Sequence, residues 1–368
     1  IGLYLAYIFM SVSYEKAAAG ATFGATAGAF LGSIVMTYIY FRERKSILSL
    51  IKNTPNSKNY ESSSEIIKKL VSIAIPITIG ASVLPLMNLI DSGIVIRRLN
   101  AIGYEYEIAN KLWGQIGLGN NIINLPQAIT AALQVSLVPA IAYVVARKDR
   151  LGLSKNIETG VRVTLLIALP SAVGLSMLSQ DIMLLLYPTK VEAAIGAGQI
   201  LRISAWGIIF LSLFQTLTGI LQGLGKQLVP AWNLFIGAVI KLILSYILIA
   251  NPSLNIRGAV IATLVGFIVA CILNYIYVKI YTKVKFNTVN ILIKPVFSVA
   301  VMGVAVKYSH LFVSSHASSR LATVVAIAVG GFTYGIMLLL TKTLTAEDYE
   351  LMPGGKKLQK IAKLFNKK

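Results

Sequence analysis

The stretch Ile73–Leu99, IAIPITIGASVLPLMNLIDSGIVIRRL, decides how the chain is read. At about 1.5 Å of rise per residue, roughly 20 apolar residues cross the hydrocarbon core of a bilayer, and this run is long enough. It also carries Pro76, Pro85, Asn88 and Asp91, and it closes on Arg97-Arg98. A proline inside a spanning helix frees a backbone carbonyl, which a neighbouring helix or water must satisfy. A carboxylate in lipid costs about 2.5–3.5 kcal/mol on insertion scales, so Asp91 is expected to face protein or a wet cavity. Asn88, Asp91, Val95 and Arg98 recur at helical spacing and share one face. The stretch reads as one wall of a polar path through a membrane.

The rest of the chain fits that reading. Of 368 residues, 56% are hydrophobic, and the mean hydropathy of +0.74 is far too high for a soluble domain. Apolar segments alternate with short connectors, and together they predict an all-α polytopic membrane protein with about ten transmembrane helices. A net charge of +20 raises the question of nucleic acid, but the cations lie between apolar segments rather than on one compact face. No nucleic-acid partner is expected. Most of the 34 Lys and Arg fall in alternate connectors, at 42–69, 147–162, 226, 279–294 and 342–368. The positive-inside rule makes these cytoplasmic, and the C-terminus with them. Cys271 stands alone, which excludes an internal disulfide and a Cys-based metal site. The chain opens at Ile1, inside an apolar run and without the charged start of a signal peptide. It is read as a fragment whose preceding helices are missing.

Along the chain, Ile1–Val12 reads as a partial or complete span. Ala17–Phe41 follows, with Gly20, Gly24, Gly28 and Gly32 four apart, a spacing that lets two helix backbones approach. An Asn- and Ser-rich linker covers 53–64. In Leu112–Ala146, Asn120, Asn124, Gln127 and Gln134 lie on one stripe, with Pro126 and Pro139 as kink points. One amide would serve as interhelical glue, whereas four on a stripe favour a wet cavity. Further spans are expected at Val161–Tyr187, Ala193–Leu224, Val229–Ala250, Arg257–Ile280, Ile291–Val306 and Leu321–Thr341. Lys241 lies in mid-helix, where lysine is rare unless paired or wet. The tail beyond Pro353 sets Leu358, Ile361 and Phe365 on one face among lysines, a basic amphipathic helix suited to an anionic leaflet.

The ordered set 75–99 (IPITIGASVLPLMNLIDSGIVIRRL), 124–150 (NLPQAITAALQVSLVPAIAYVVARKDR), 165–187 (LLIALPSAVGLSMLSQDIMLLLY), 220–227 (ILQGLGKQ) and 233–249 (NLFIGAVIKLILSYILI) resembles the polysaccharide-transport and lipid II flippase families. The resemblance is strongest to the stage V sporulation protein B branch of the multidrug/oligosaccharidyl-lipid/polysaccharide exporter superfamily, and it covers nearly the whole chain. It implies a fold of about fourteen helices, in two six-helix lobes plus a final pair. On that map, residues 1–42 are the last two helices of an incomplete N-terminal lobe and 43–63 a cytoplasmic linker. Residues 64–282 are a complete six-helix C-terminal lobe, 290–342 two additional spans, and 343–368 the cytoplasmic tail. The implied activity is flipping or export of an undecaprenyl-linked precursor, lipid II or another lipid-linked oligosaccharide, across the bacterial plasma membrane. Alternating access around a midplane site is the expected mode, in a monomer that needs no cofactor.

The resemblance also suggests roles. Arg97, Arg98 and Arg202 are candidates for a pyrophosphate, since guanidinium offers bidentate contact. Asn88, Asn120, Asn124, Gln127 and Gln134 are candidates for lining the cavity. Some relatives hold a sodium ion with an acidic residue where Asp91 stands here. Their partner helix offers Asn and Asp where this chain has Ser245 and Ile249, which departs from the pattern. Lys241, one turn from Ser245, suggests instead an Asp91–Lys241 ion pair in place of the cation. Counted from helix starts, Asp91 lies roughly 33 Å from Lys69 and Lys241 about 16 Å from Pro230, a poor match in depth. A cation-coupled multidrug exporter of the same superfamily is the competing reading, and it predicts a more acidic or aromatic cavity. No nucleophile–base pair, metal-ligand set or phosphate loop suggests an enzyme.

Overall fold

The computed structural model describes residues 2–53, 62–284 and 289–343; the amphipathic tail expected beyond Pro353 and most of the 53–64 linker lie outside them. Two compact units are formed, Ile1–Lys69 and Leu70–Lys368.

In the first unit, α1 (Gly2–Met10) packs on α2 (Tyr14–Asn53). Gly20 and Gly24 make the approach possible: a Cβ on Gly24 would lie 2.3 Å from the Gly2 Cα. Gly28 and Gly32 meet nothing within 4 Å among the described residues, so only half of the glycine stripe is used in helix packing here. The α2 helix runs twelve residues past Phe41, through Arg42-Glu43-Arg44-Lys45, because no helix breaker interrupts it before Asn53.

The second unit starts within α3 (Ser63–Ala101), which contains the opening stretch. It continues with α4 (Tyr106–Ala146), α5 (Arg150–Met177), α6 (Ser179–Leu186), α7 (Val191–Ser204), α8 (Gly207–Gly223), α9 (Leu228–Ile249) and α10 (Ile256–Thr282). A π-helical turn, Val289–Ile293, leads into α11 (Lys294–Ser314), and α12 (Ser319–Leu340) closes the described chain. Seven of the helices are long and apolar enough to cross a membrane, and α7 with α8 makes an eighth, bent by 50°. Every element among the described residues is helical, as the alternation of apolar runs with basic connectors predicts.

Local sequence sets the ends. Asp149 caps α5 by accepting from the Gly152 N–H at 2.9 Å, and Ser318 caps α12. Two single spans read from sequence are broken instead. Val161–Tyr187 divides at Leu178 into α5 and α6, and Ala193–Leu224 divides at Ala205-Trp206 into α7 and α8. No proline marks either break; Gln180-Asp181 follow the first and Arg202 precedes the second, but polar residues also stand inside unbroken helices, as Asp91 and Arg98 do in α3.

The core runs along α5, which carries twelve buried residues. Leu165, Leu169, Leu217, Ile220 and Leu221 are its centre, and Val299, Met302 and Val306 of α11 join it. A second cluster ties Val95 and Leu99 of α3 to Ile200, Ile249 and Val260. Outward faces are apolar as well: Val135 is 71% exposed, Phe312 70% and Phe332 73%. A water-soluble protein would bury such side chains, whereas lipid solvates them. Polar pairs stay inside and find each other, as for Asn233, which donates to Asn274 at 2.8 Å, and Asn274, which donates to Thr218 at 3.0 Å.

Candidate substrate cavity

Three contacts hold α3 beside α9. At one end Gly80 leaves no room for a side chain against Ala231, where a Cβ would come within 2.9 Å of the Ala231 Cβ. In the middle Asp91 and Lys241 form an ion pair, 7% and 4% exposed. At the far end Arg98 lays its guanidinium 3.8 Å from the centre of the Tyr246 ring, and its Nε donates to the Tyr246 carbonyl at 3.2 Å. The last two pairs are 150 and 148 residues apart in sequence. A near-constant offset means the two helices run parallel.

This register removes the depth mismatch expected from sequence. Lys69 is a poor reference, because α3 begins at Ser63 and its 39 residues reach about 58 Å, well beyond a bilayer. Measured from the Gly80–Ala231 contact, Asp91 and Lys241 are each roughly 16 Å along their helices. The Lys241 stem is also fixed from behind: a Cβ on Gly266 of α10 would lie 3.0 Å from the Lys241 Cβ, and one on Gly237 would lie 2.5 Å from the Gly266 carbonyl. Close approach of α9 and α10 therefore pushes the ammonium toward α3. Ser245, one turn on, is 1% exposed and its Oγ makes no hydrogen bond among the described residues; nor does Asp91 Oδ1.

The pair closes one side of a cavity of about 330 Å³ between α3, α4, α8 and α10. Asn88 and Asp91 enter it from α3; Asn120, Asn124 and Gln127 enter from α4. Trp113, Ser204 and Thr263 line it too. These three were not singled out from sequence, although Trp113 stands two turns before Asn120 on the α4 stripe, a spacing that could have found it. The rest of the wall is apolar, with Met87, Ile123 and Phe267. Chemically the cavity is neutral. Its carboxylate is already neutralised, and its carboxamides offer both donors and acceptors, which suits hydroxyls and amides.

Other expected site residues lie elsewhere. Gln134, two turns past Gln127, packs against Gly219 of α8, where a Cβ would fall 2.6 Å from the Gln134 carbonyl. Arg98 is engaged by Tyr246, and neither it nor exposed Arg97 lines the cavity. Arg202 sits on a separate pocket with Asp181. The residues around Asp91 do not fit a sodium ion: an ammonium occupies the carboxylate, and Ser245 and Ile249 add one hydroxyl and one apolar side chain, where a hard cation needs several oxygens.

Bent, membrane-length helices around a polar cavity closed by a buried ion pair define a multi-pass membrane protein. A solved lipid II flippase in its inward closed conformation has this fold, with a TM-score of 0.62 at 17% identity over 92% of this chain and 65% of that one. The family described as lipid II flippase MurJ matches residues 1–326, and the chain belongs to that family. It is 30% identical to the lipid II flippase of Bacillus subtilis (strain 168), over 85% of this chain and 59% of that protein. It is 25% identical to stage V sporulation protein B of the same organism, over 94% of this chain and 65% of that protein. The chain thus spans less than two thirds of the length of these relatives.

Proposed function

We propose that the full-length protein flips an undecaprenyl-linked cell-wall precursor of the lipid II type across the bacterial plasma membrane by alternating access. Family membership supports the substrate class, and the cavity lined by Asn88, Asn120, Asn124 and Gln127 is the observation in this chain that carries the reading. Those carboxamides recognise the uncharged sugar or peptide portion through hydrogen bonds whose desolvation is compensated only when both partners are present. The Asp91–Lys241 pair holds α3 to α9 while the lobe moves and takes the place of a coupling cation. Arg97, Arg98 and Arg202 lie outside the cavity, so contact with the pyrophosphate there falls to other groups. Connectors rich in Lys and Arg face the cytoplasm in this reading, and the protein acts as a monomer.

A cation-coupled drug exporter fits less well. Such a protein needs a free carboxylate for a cationic substrate, and the cavity's carboxylate is taken by Lys241. The test is complementation in bacteria depleted of their own lipid II flippase. Expression of the full-length gene product is expected to restore growth and outward-facing lipid II. The Asn120→Ala/Asn124→Ala variant, at equal membrane level, is expected to lose most of that rescue. Absence of rescue by well-expressed protein would overturn lipid II as the substrate.

A further inference from the structure

A second pocket, of about 560 Å³, lies away from the neutral cavity, at the level of the connector between α9 and α10. Arg202 of α7, Arg257 of α10 and Lys307 of α11 converge on it, against one carboxylate, Asp181 of α6. Among the described residues none of the three cations has a carboxylate within 4 Å, and Asp181 stands instead 3.6 Å from His310 Nε2. Helix packing sets this convergence. Gly198 lets α7 close on α6, where a Cβ would lie 2.7 Å from the Gln180 Cα, and Arg202 follows one turn later. Gly303 seats α11 on Met177, with 3.3 Å from a Cβ to the sulfur, and Lys307 again follows one turn later. Arg257 is oriented by its Nη2, which donates to Gln199 Oε1 at 2.6 Å.

Topology does not account for this charge. The connectors at this end of the bundle are the ones poor in Lys and Arg, so the positive-inside rule gives no reason for cations to gather here. Like charges sharing one concavity repel one another until an anion joins them. Two guanidiniums and an ammonium match a phosphate, the first two by paired hydrogen bonds and the third as a point charge. Beside the pocket, α11 exposes Val304, Tyr308 and Leu311, at 57%, 66% and 55%, an apolar strip on which an acyl or polyprenyl chain can lie. We propose that the pocket binds the phosphate of a membrane lipid headgroup, at the end of the bundle opposite the basic connectors. The same chemistry occurs in an anionic glycerophospholipid and in a polyprenyl pyrophosphate, and the assignment does not depend on which substrate the main cavity carries.

The test is lipid retention by the purified full-length protein in native mass spectrometry, with phosphatidylglycerol, phosphatidylcholine and undecaprenyl pyrophosphate as probes. The Arg202→Gln/Arg257→Gln/Lys307→Gln variant is expected to retain phosphatidylglycerol about tenfold less than wild type, with phosphatidylcholine unchanged, from the loss of charge-assisted contacts. If undecaprenyl pyrophosphate displaces phosphatidylglycerol at lower concentration through the same residues, the polyprenyl lipid is the ligand; if not, the glycerophospholipid is. Equal displacement by inorganic phosphate overturns a lipid ligand. A control variant, Lys111→Gln/Lys190→Gln/Arg320→Gln, removes three other cations from the same end and is expected to keep full retention; an equal loss there overturns a specific pocket. Should the triple variant fail to fold, the single change Arg257→Gln is expected to lower retention about threefold, and unchanged retention in that folded protein overturns the proposal.

Discussion

Lys241 and Asp91 are the side chains on which the site depends most. Removing either one is costly, because the buried partner stays charged with nothing to compensate it, typically by about 3–5 kcal/mol. Lys241→Met is therefore expected to lower the unfolding free energy of the detergent-purified protein by about 3–5 kcal/mol, read as a lower thermal midpoint. The double variant Asp91→Leu/Lys241→Met, in which no charge remains, is expected to recover most of the loss, and a cycle of the four proteins measures the coupling. Asp91→Lys with Lys241→Asp should likewise restore function that each single change removes. Sequence spacing was enough to bring Asn88, Asp91, Asn120, Asn124 and Gln127 onto inner faces, because a helix repeats every 3.6 residues whatever surrounds it. It was not enough for Gln134 or Arg98. Gln134 shares the stripe but meets the tight α4–α8 crossing at Gly219, and Arg98 stacks on a ring whose position depends on the register of another helix.

Registers belong to the elements. If α3 and α9 run parallel as the successive pairs Gly80–Ala231, Asp91–Lys241 and Arg98–Tyr246 show, Gly80→Cys with Ala231→Cys, in a Cys271→Ser background, should form a disulfide under mild oxidation. Gly80→Cys with Ser245→Cys, about 21 Å further along α9, should not. Gly237→Leu would drive a side chain into the Gly266 carbonyl and is expected to cost about 1–3 kcal/mol through overpacking, read as a lower unfolding midpoint. Helix existence was legible in the sequence almost throughout. Helix interruption was not, since the breaks at Leu178 and at Ala205-Trp206 occur among residues equally content on either side of a bend. What stops those helices is packing: Met183 of α6 and Ile208 of α8 are both fully buried in the same small cluster with Ala168 and Leu201.

On the scale of the molecule, alternating basic connectors predict which ends lie in the cytoplasm. In a Cys271→Ser background, Ser253→Cys and Ser315→Cys should react with a membrane-impermeant thiol reagent in intact cells, and Gly225→Cys only after permeabilisation. The opposite pattern would invert the orientation. The α3–α9 contact bears on how such a protein can move. It is fixed at three levels over about 27 Å, from Gly80 to Arg98, by a backbone approach, a buried charge pair and a stacked guanidinium. Sliding one helix past the other by a single turn would part all three at once and leave a buried ammonium and carboxylate without each other. That path is closed. In the alternating-access cycle proposed above, the two helices therefore travel as one strut, and the opening of the cavity pivots around them.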